Sequence, residues 1–240
     1  DSSVTGVQTC ALPIYFTAGK WTLDGGFRFN AFKINIKDEN LGDVEITPQA
    51  LVFNAGAMYN LNSANHLYAN VSNGFRAPNI DDMGTLGIVD FRYEVPAYNL
   101  RPEKSVNFET GYKLSLPKFQ ANLAAYYMVL NQLITRVKVE GKEIDGYPVY
   151  IKENVGEAFI AGGEAFFLWK LIPHLDLNGG FSYTYGQNIT GDEPLRRIPP
   201  FNGKLGAVYT VKKYFVSGEL LFAGKQDRLA AGDKSDNRIP

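Results

Sequence analysis

Gly74-Phe75-Arg76-Ala77-Pro78-Asn79 and Asn99-Leu100-Arg101-Pro102-Glu103-Lys104-Ser105 are two short boxes, each standing at the end of an alternating segment. Before the first box, Leu67, Ala69 and Val71 alternate with Tyr68, Asn70, Ser72, Gly74 and Arg76. After the second, Val106, Phe108, Thr110, Tyr112 and Leu114 alternate with Asn107, Glu109, Gly111, Lys113 and Ser115. Period-two alternation is the signature of a strand with one apolar and one polar face. A proline in each box sets φ and removes a backbone donor, which suits a chain leaving or entering a ladder at a strand end. The boxes therefore read as the rims of two long strands joined by an elaborated loop.

Working outward, the remaining sequence continues the pattern. Strands are expected at 20–37, 46–61, 66–76, 103–116, 118–139, 149–169, 174–187, 200–211 and 214–228. Their connections alternate in length. Residues 62–65, 116–118, 170–173 and 211–213 are short turns. Residues 38–45, 77–102, 140–148, 188–199 and the tail from 229 are long connections. Outer-membrane barrels alternate short periplasmic turns with longer extracellular loops, whereas a soluble meander has no reason to do so. On the apolar phase near the short-turn end stand Trp21, Tyr59, Tyr112, Phe119, Trp169, Tyr209 and Tyr214. Aromatics gathered at one end of a sheet form a girdle at a membrane interface; capping a soluble sandwich would not collect them there. The fold expected is all-β: a transmembrane antiparallel barrel fragment of about nine strands, an open curved sheet as an isolated chain.

Composition agrees and excludes other classes. Hydrophobic residues make up 45% and charged residues 20%, with 24 Gly, 14 Tyr and 16 Phe and no apolar run long enough for a transmembrane helix. A net charge of −1 with interspersed signs leaves no basic footprint for nucleic acid. Nucleophile–base constellations, zinc spacing and phosphate loops are missing from the sequence, so no catalytic residue and no metal site is expected. Val4-Thr5-Gly6-Val7-Gln8-Thr9-Cys10-Ala11-Leu12-Pro13-Ile14 resembles the in-frame translation of a sequencing-library adapter. Residues 1–14 are therefore set aside as a non-native segment, and 15–240 are taken as one partial barrel domain lacking its final strands.

Phe75-Arg76-Ala77-Pro78, then Tyr98-Asn99-Leu100-Arg101-Pro102-Glu103-Lys104-Ser105 and Glu109-x-Gly111-Tyr112, resemble the second half of the barrel in TonB-dependent outer-membrane receptors. Asn154-x-Gly156 with Gly163-Glu164, and Leu195-Arg196-Arg197-Ile198-Pro199-Pro200, look like the same family, closest to its haem and iron-complex receptors. The resemblance implies a barrel of about 22 strands in the outer membrane of a Gram-negative bacterium. An N-terminal plug, not represented in this chain, would occlude the barrel and contact the TonB complex. The implied function is active import of an iron complex, haem or a siderophore, with no intrinsic cofactor. The alternatives are a cobalamin receptor of the same family, a passive porin-type channel, or an outer-membrane enzyme barrel. Implied partners are outer-membrane lipid and lipopolysaccharide, the TonB complex, the iron complex itself, and a haem-carrying protein or surface lipoprotein.

Among the haem receptors the resemblance implies an iron-ligating histidine between the boxes, and residues 79–98 contain none. His66 and His174, the only two histidines, lie beside short turns. Tyr93 and Tyr98 are the tyrosines that could offer a phenolate oxygen instead. Arg76, Arg92, Arg101, Arg196 and Arg197 cluster at loop ends, where guanidinium groups could meet anionic groups on a ligand. The acidic pairs Asp81-Asp82 and Asp192-Glu193 lack calcium-loop spacing and read as turn chemistry. Lumen-phase Asp24, Arg28, Glu109, Lys113, Glu164, Lys204 and Glu219 are expected to form polar ladders.

Overall fold

The computed structural model describes residues 2–38, 42–89 and 91–230. In chain order the elements are β1 (Ser2–Ala18), β2 (Trp21–Asp38), β3 (Gly42–Ile46), β4 (Gln49–Asn60), β5 (Asn65–Arg76), α1 (Ile80–Gly84), β6 (Gly87–Val89) and β7 (Arg92–Val95). They continue with β8 (Glu103–Ser115), β9 (Phe119–Ile144), β10 (Tyr147–Ile172), β11 (Leu175–Asn188), β12 (Glu193–Pro194), β13 (Asn202–Val211) and β14 (Tyr214–Ala223). The described strands form one sheet whose main path is β1-β2-β4-β5-β8-β9-β10-β11-β13-β14, each antiparallel to the next and open at both ends.

All nine expected strands are present, and β1 precedes them. Its backbone pairs with β2 from Ser2↔Ile36 to Ala18↔Trp21, so the segment set aside in the sequence runs along the sheet edge. Ladder hydrogen bonds are made by the backbone and tolerate almost any side chain at an edge, and Gly19 at φ 58° closes the hairpin. The expected loop 140–148 is instead a tight turn. Asp145 and Gly146 both have positive φ, 53° and 78°, the turn that a right-twisted hairpin favours. As a result β9 and β10 rise as a ribbon of 26-residue strands above the sheet. The last strand stops at Ala223 rather than 228. The long connections carry short elements of their own: β3 folds back on β2, β12 pairs with β11, and residues 77–102 contain α1, β6 and β7.

Register puts the two phases on opposite faces. One row runs Trp21↔Tyr59↔Leu67↔Tyr112↔Leu123, and the neighbouring rows of that face carry Leu23, Phe27, Phe53, Val71 and Phe108. These side chains are apolar yet open: Leu23 is 42% exposed, Phe108 51%, Leu123 48% and Trp21 49%. Among the described residues the buried hydrophobic set is only Met83, Ala97, Val149, Ala158 and Ala230. A sandwich of this size would bury an inner layer from each sheet. Among the described residues no second sheet covers the apolar face, and an open apolar face beside a polar one is the pattern of a barrel wall whose outer side meets lipid. The aromatic girdle is found where expected. Trp21 and Tyr59 pack with ring centroids 4.7 Å apart, and Phe119 meets Trp169 edge-on at 6.2 Å, both pairs next to short turns.

The opposite face is polar and closely fitted. Lys204 pairs with Glu219 at 3.2 Å, and Asn54 donates to Asp24 at 3.2 Å. The Tyr126 ring lies flat across Gly162, and its hydroxyl meets the Thr184 hydroxyl at 2.9 Å on the strand beyond. A Cβ on Gly162 would lie 2.3 Å from the Tyr126 oxygen, so only glycine lets the ring cross that strand. His66, held by Asn60 at 2.5 Å, and His174, in a turn at φ 75°, are both at the short-turn end.

Candidate functional site: a tethered strap at the loop-side rim

The sheet's loop-side end is dominated by residues 77–102, which leave β5 and return as β8. This strap is tied down at three places, and the sequence boxes supply two of them. The first tie is Arg76. Its Nε donates to Glu103 Oε2 at 2.5 Å and its Nη1 to Asp82 Oδ2 at 2.6 Å, so one guanidinium joins both boxes and the start of α1. Asp82 closes a capping box, accepting from the Asn79 N–H at 3.0 Å while its own N–H donates to Asn79 Oδ1 at 2.7 Å. The other Glu103 oxygen accepts from the Ile134 N–H at 2.8 Å, extending the tie to β9. The hydrogen bond to Glu103 raises the Arg76 pKa further above its ordinary value, with Asp82 adding to it and burial opposing it.

The second tie is Asn154 on β10. Its Oδ1 accepts from the Arg101 N–H at 2.6 Å, and its Nδ2 donates to the Arg101 and Gln132 carbonyls, each at 2.8 Å. Gln132 sits at φ 58°, in a bulge that turns its carbonyl out of the β9–β10 ladder and toward Asn154. A primary amide suits this position because it offers an acceptor and two donors together. The third tie is β7, which pairs in parallel with β10 from Tyr93↔Val149 to Val95↔Ile151. Its Glu94 is 2% exposed, accepts from Arg136 Nε on β9, and lies 3.8 Å from Lys152 Nζ. Lys152 also donates to the Asp81 carbonyl and, at 3.3 Å, to Thr85 Oγ1. Met83 and Val149 form the small dry core under this tie, and the Ala97 N–H donates to the Met83 carbonyl at 2.9 Å.

Between strap and ribbon lies a cavity of about 520 Å³, lined by Tyr98, Arg101, Gln132, Lys152, Glu153 and Asn154 among others. Of the seven residues expected to bind ligand, it gathers Tyr98 and Arg101. Arg76 is spent on the strap. Arg92 lies over the Tyr150 ring at 5.5 Å, and Tyr93 is in register with Ile88 and Val149. Arg196 and Arg197 are on the β12–β13 connection, Arg197 at φ 60°, and line none of the cavities at the strap. The residues that sequence reasoning missed are Gln132, Lys152 and Glu153 in the lining and Glu94 beneath it. Asn154 was visible as part of a motif, but nothing in the sequence linked it to Arg101, 53 positions away. Asn154 and Lys152 are engaged with the strap, so the groups the wall offers a ligand are Tyr98, Arg101, Gln132 and Glu153 beside apolar Leu100, Ile151 and Val155, a mixed lining of the kind that holds small molecules.

The family model described as TonB dependent receptor-like, beta-barrel, matches residues 11–238. Among named relatives, the Rhizobactin receptor of Rhizobium meliloti (strain 1021) is 26% identical over 160 residues, 55% of this chain and 21% of that protein. The iron-regulated outer membrane virulence protein of Vibrio cholerae serotype O1 (El Tor Inaba N16961) is 25% identical over 241 residues, 93% of this chain and 35% of that protein. The solved copper transporter OprC superposes with a TM-score of 0.77 at 20% identity, over 92% of this chain and 35% of that one. The chain thus spans about a third or less of the length of these relatives.

Proposed function

We propose, on the premise that this chain belongs to the TonB-dependent receptor β-barrel family of the outer membrane, that the intact protein captures a small iron complex on its extracellular side and imports it with TonB-derived energy. Its role is binding and transport rather than catalysis. The observation that carries this reading is the cavity between strap and ribbon, at the loop side of the sheet, walled by Tyr98, Arg101 and Asn154. A ferric siderophore suits it better than haem. Residues 79–98 hold no histidine to take an axial position on haem iron, and the lining sets Tyr98, Arg101 and Glu153 for polar contacts beside apolar Leu100, Ile151 and Val155. The iron-regulated virulence protein among the relatives above supports the iron reading.

The test is growth of an iron-starved strain, lacking its own receptors, that carries the intact gene. Ferric hydroxamate, catecholate and carboxylate siderophores and haem are each supplied as sole iron source. Growth on at least one siderophore, lost when the gene is deleted, is expected. Growth on haem alone would reassign the ligand, and growth on none of them would remove the iron reading.

A further inference from the structure

The short-turn end of the sheet differs in charge from the loop end. Residues 19–20, 61–64, 116–118, 173–174 and 212–213 make the tight turns there, and none of the chain's 25 acidic residues falls within them. They carry Lys20, Lys118, Lys212 and Lys213, all exposed. On the loop side, cations and carboxylates are interleaved, as in Arg76 with Glu103 and Arg136 with Glu94. Lys170, whose N–H donates to the Lys118 carbonyl at 2.8 Å, stands beside the rim in register with Asp176, so the two together add no net charge there.

The turn lysines are placed against the girdle. Lys20 Nζ lies 6.0 Å from the Tyr59 ring centre and donates to the Leu61 carbonyl at 3.1 Å. Lys213 Nζ lies 5.4 Å from the ring of Tyr214, itself 70% exposed on the lipid-facing phase. A lysine whose stem follows an interfacial aromatic ring holds its ammonium group in the headgroup plane. Short turns of outer-membrane barrels are periplasmic, so this plane belongs to the periplasmic leaflet.

We propose that this rim selects anionic phospholipids in the periplasmic leaflet, with Lys20, Lys118, Lys212 and Lys213 meeting headgroups that carry net negative charge. Two features favour a lipid headgroup as the occupant. The cations sit just outside the aromatic girdle, at headgroup depth, and no carboxylate in the turns neutralises them. Each lysine at an anionic surface is worth about a fivefold preference.

The experiment places the intact receptor in nanodiscs of equal phosphatidylglycerol and phosphatidylethanolamine and counts retained lipids by native mass spectrometry. Wild type is expected to retain phosphatidylglycerol several-fold over phosphatidylethanolamine. The K20Q/K118Q/K212Q/K213Q variant is expected to lose that preference. A K138Q/K142Q variant on the extracellular ribbon is expected to keep it. Heat-modifiable mobility on gels verifies that both variants are folded. Equal retention of the two lipids by wild type, or an unchanged preference in the quadruple variant, overturns the proposal. Displacement of the lipid by millimolar inorganic phosphate would also overturn it, by making the rim a phosphate-ion site. So would an acidic protein binding the rim in lipid-free detergent with the same dependence on the four lysines.

Discussion

Arg76 and Glu103 stand 27 residues apart, and their side chains meet at 2.5 Å, closing the base of the strap where β5 and β8 are in register at Arg76↔Glu103. The pair joins the ends of adjacent strands, so it shortens the loop that has to be ordered above it. Because Glu103 also accepts from the Ile134 N–H and Arg76 also reaches Asp82, removing either residue loosens several tethers together.

Arg76→Ala is therefore expected to free the strap without unfolding the barrel. Arg76 is 45% exposed, so solvent screening limits the effect to about 1 kcal/mol, roughly fivefold in local opening. Limited proteolysis within residues 77–102 of the intact receptor in detergent measures this. Cleavage at the wild-type rate would show that the ion pair does not hold the strap.

The same pair sets a pH expectation. A cation whose folded pKa is raised adds stability that is fully present below its unfolded pKa and is lost only as pH rises through the folded one. Arg76 is raised above an already very high ordinary value, chiefly by its hydrogen bond to Glu103, so the loss lies beyond the accessible range. Strap protection should thus stay flat between about pH 7 and 11, whereas Arg76→Lys should begin to lose it only as pH rises above the ordinary lysine pKa of about 10.4. A wild-type decline between pH 9 and 11, read by the same proteolysis, would contradict this.

Asn154→Ala removes one acceptor and two donors from the rim and leaves the Arg101 N–H and the carbonyls of Arg101 and Gln132 without those partners. The expected cost is about 2 kcal/mol, seen as faster amide exchange over residues 98–101. Asn154→Asp keeps the acceptor but turns a carboxylate toward two carbonyls, so it should be no better than alanine. If the aspartate variant exchanges like wild type, the two donated bonds are not what holds the box.

Glu94→Ala leaves Lys152, whose side chain is 11% exposed, without its buried counter-charge. Breaking a buried pair from one side costs about 3 kcal/mol. Exchange should rise along β7, at residues 92–95, and leave β5 and β8 unchanged. Uniform exchange changes across the sheet would mean that β7 is not a separately tethered unit.

Gly162→Ala sets its Cβ against the Tyr126 ring and 2.6 Å from the Tyr183 carbonyl, so the ring must leave the lumen wall and the backbone must shift as well. A loss of about 2 kcal/mol in refolding stability is expected. Gly25→Ala, whose nearest neighbour would be at 3.5 Å, should be close to neutral. Equal stabilities for the two variants would remove the steric account.

Much of the architecture was legible because β-sheet side chains have a period of two and membranes enforce it. The phase of 103–116 and 66–76 placed Phe108 and Val71 on one face and Glu109 and Asn70 on the other, as the register places them. The girdle residues followed from the same phase and the positions of the short turns. What failed was local. Asp145-Gly146 is a two-residue turn signal inside a stretch expected to be a long loop, and there the hairpin closes at once.

The sequence alone determined which faces meet lipid and lumen, which ends are turns and loops, and where the boxes stand. These depend on periodicity and turn chemistry, which are local. Tertiary structure alone decided what the boxes do. Arg76 became a tether and Asn154 a clamp because the strap crosses to the β9–β10 ribbon, bringing together groups 53 residues apart. Such pairings depend on the path of the chain through space, which alternation along a strand does not encode. The cavity holding Tyr98 and Arg101 exists only because that path closes over it.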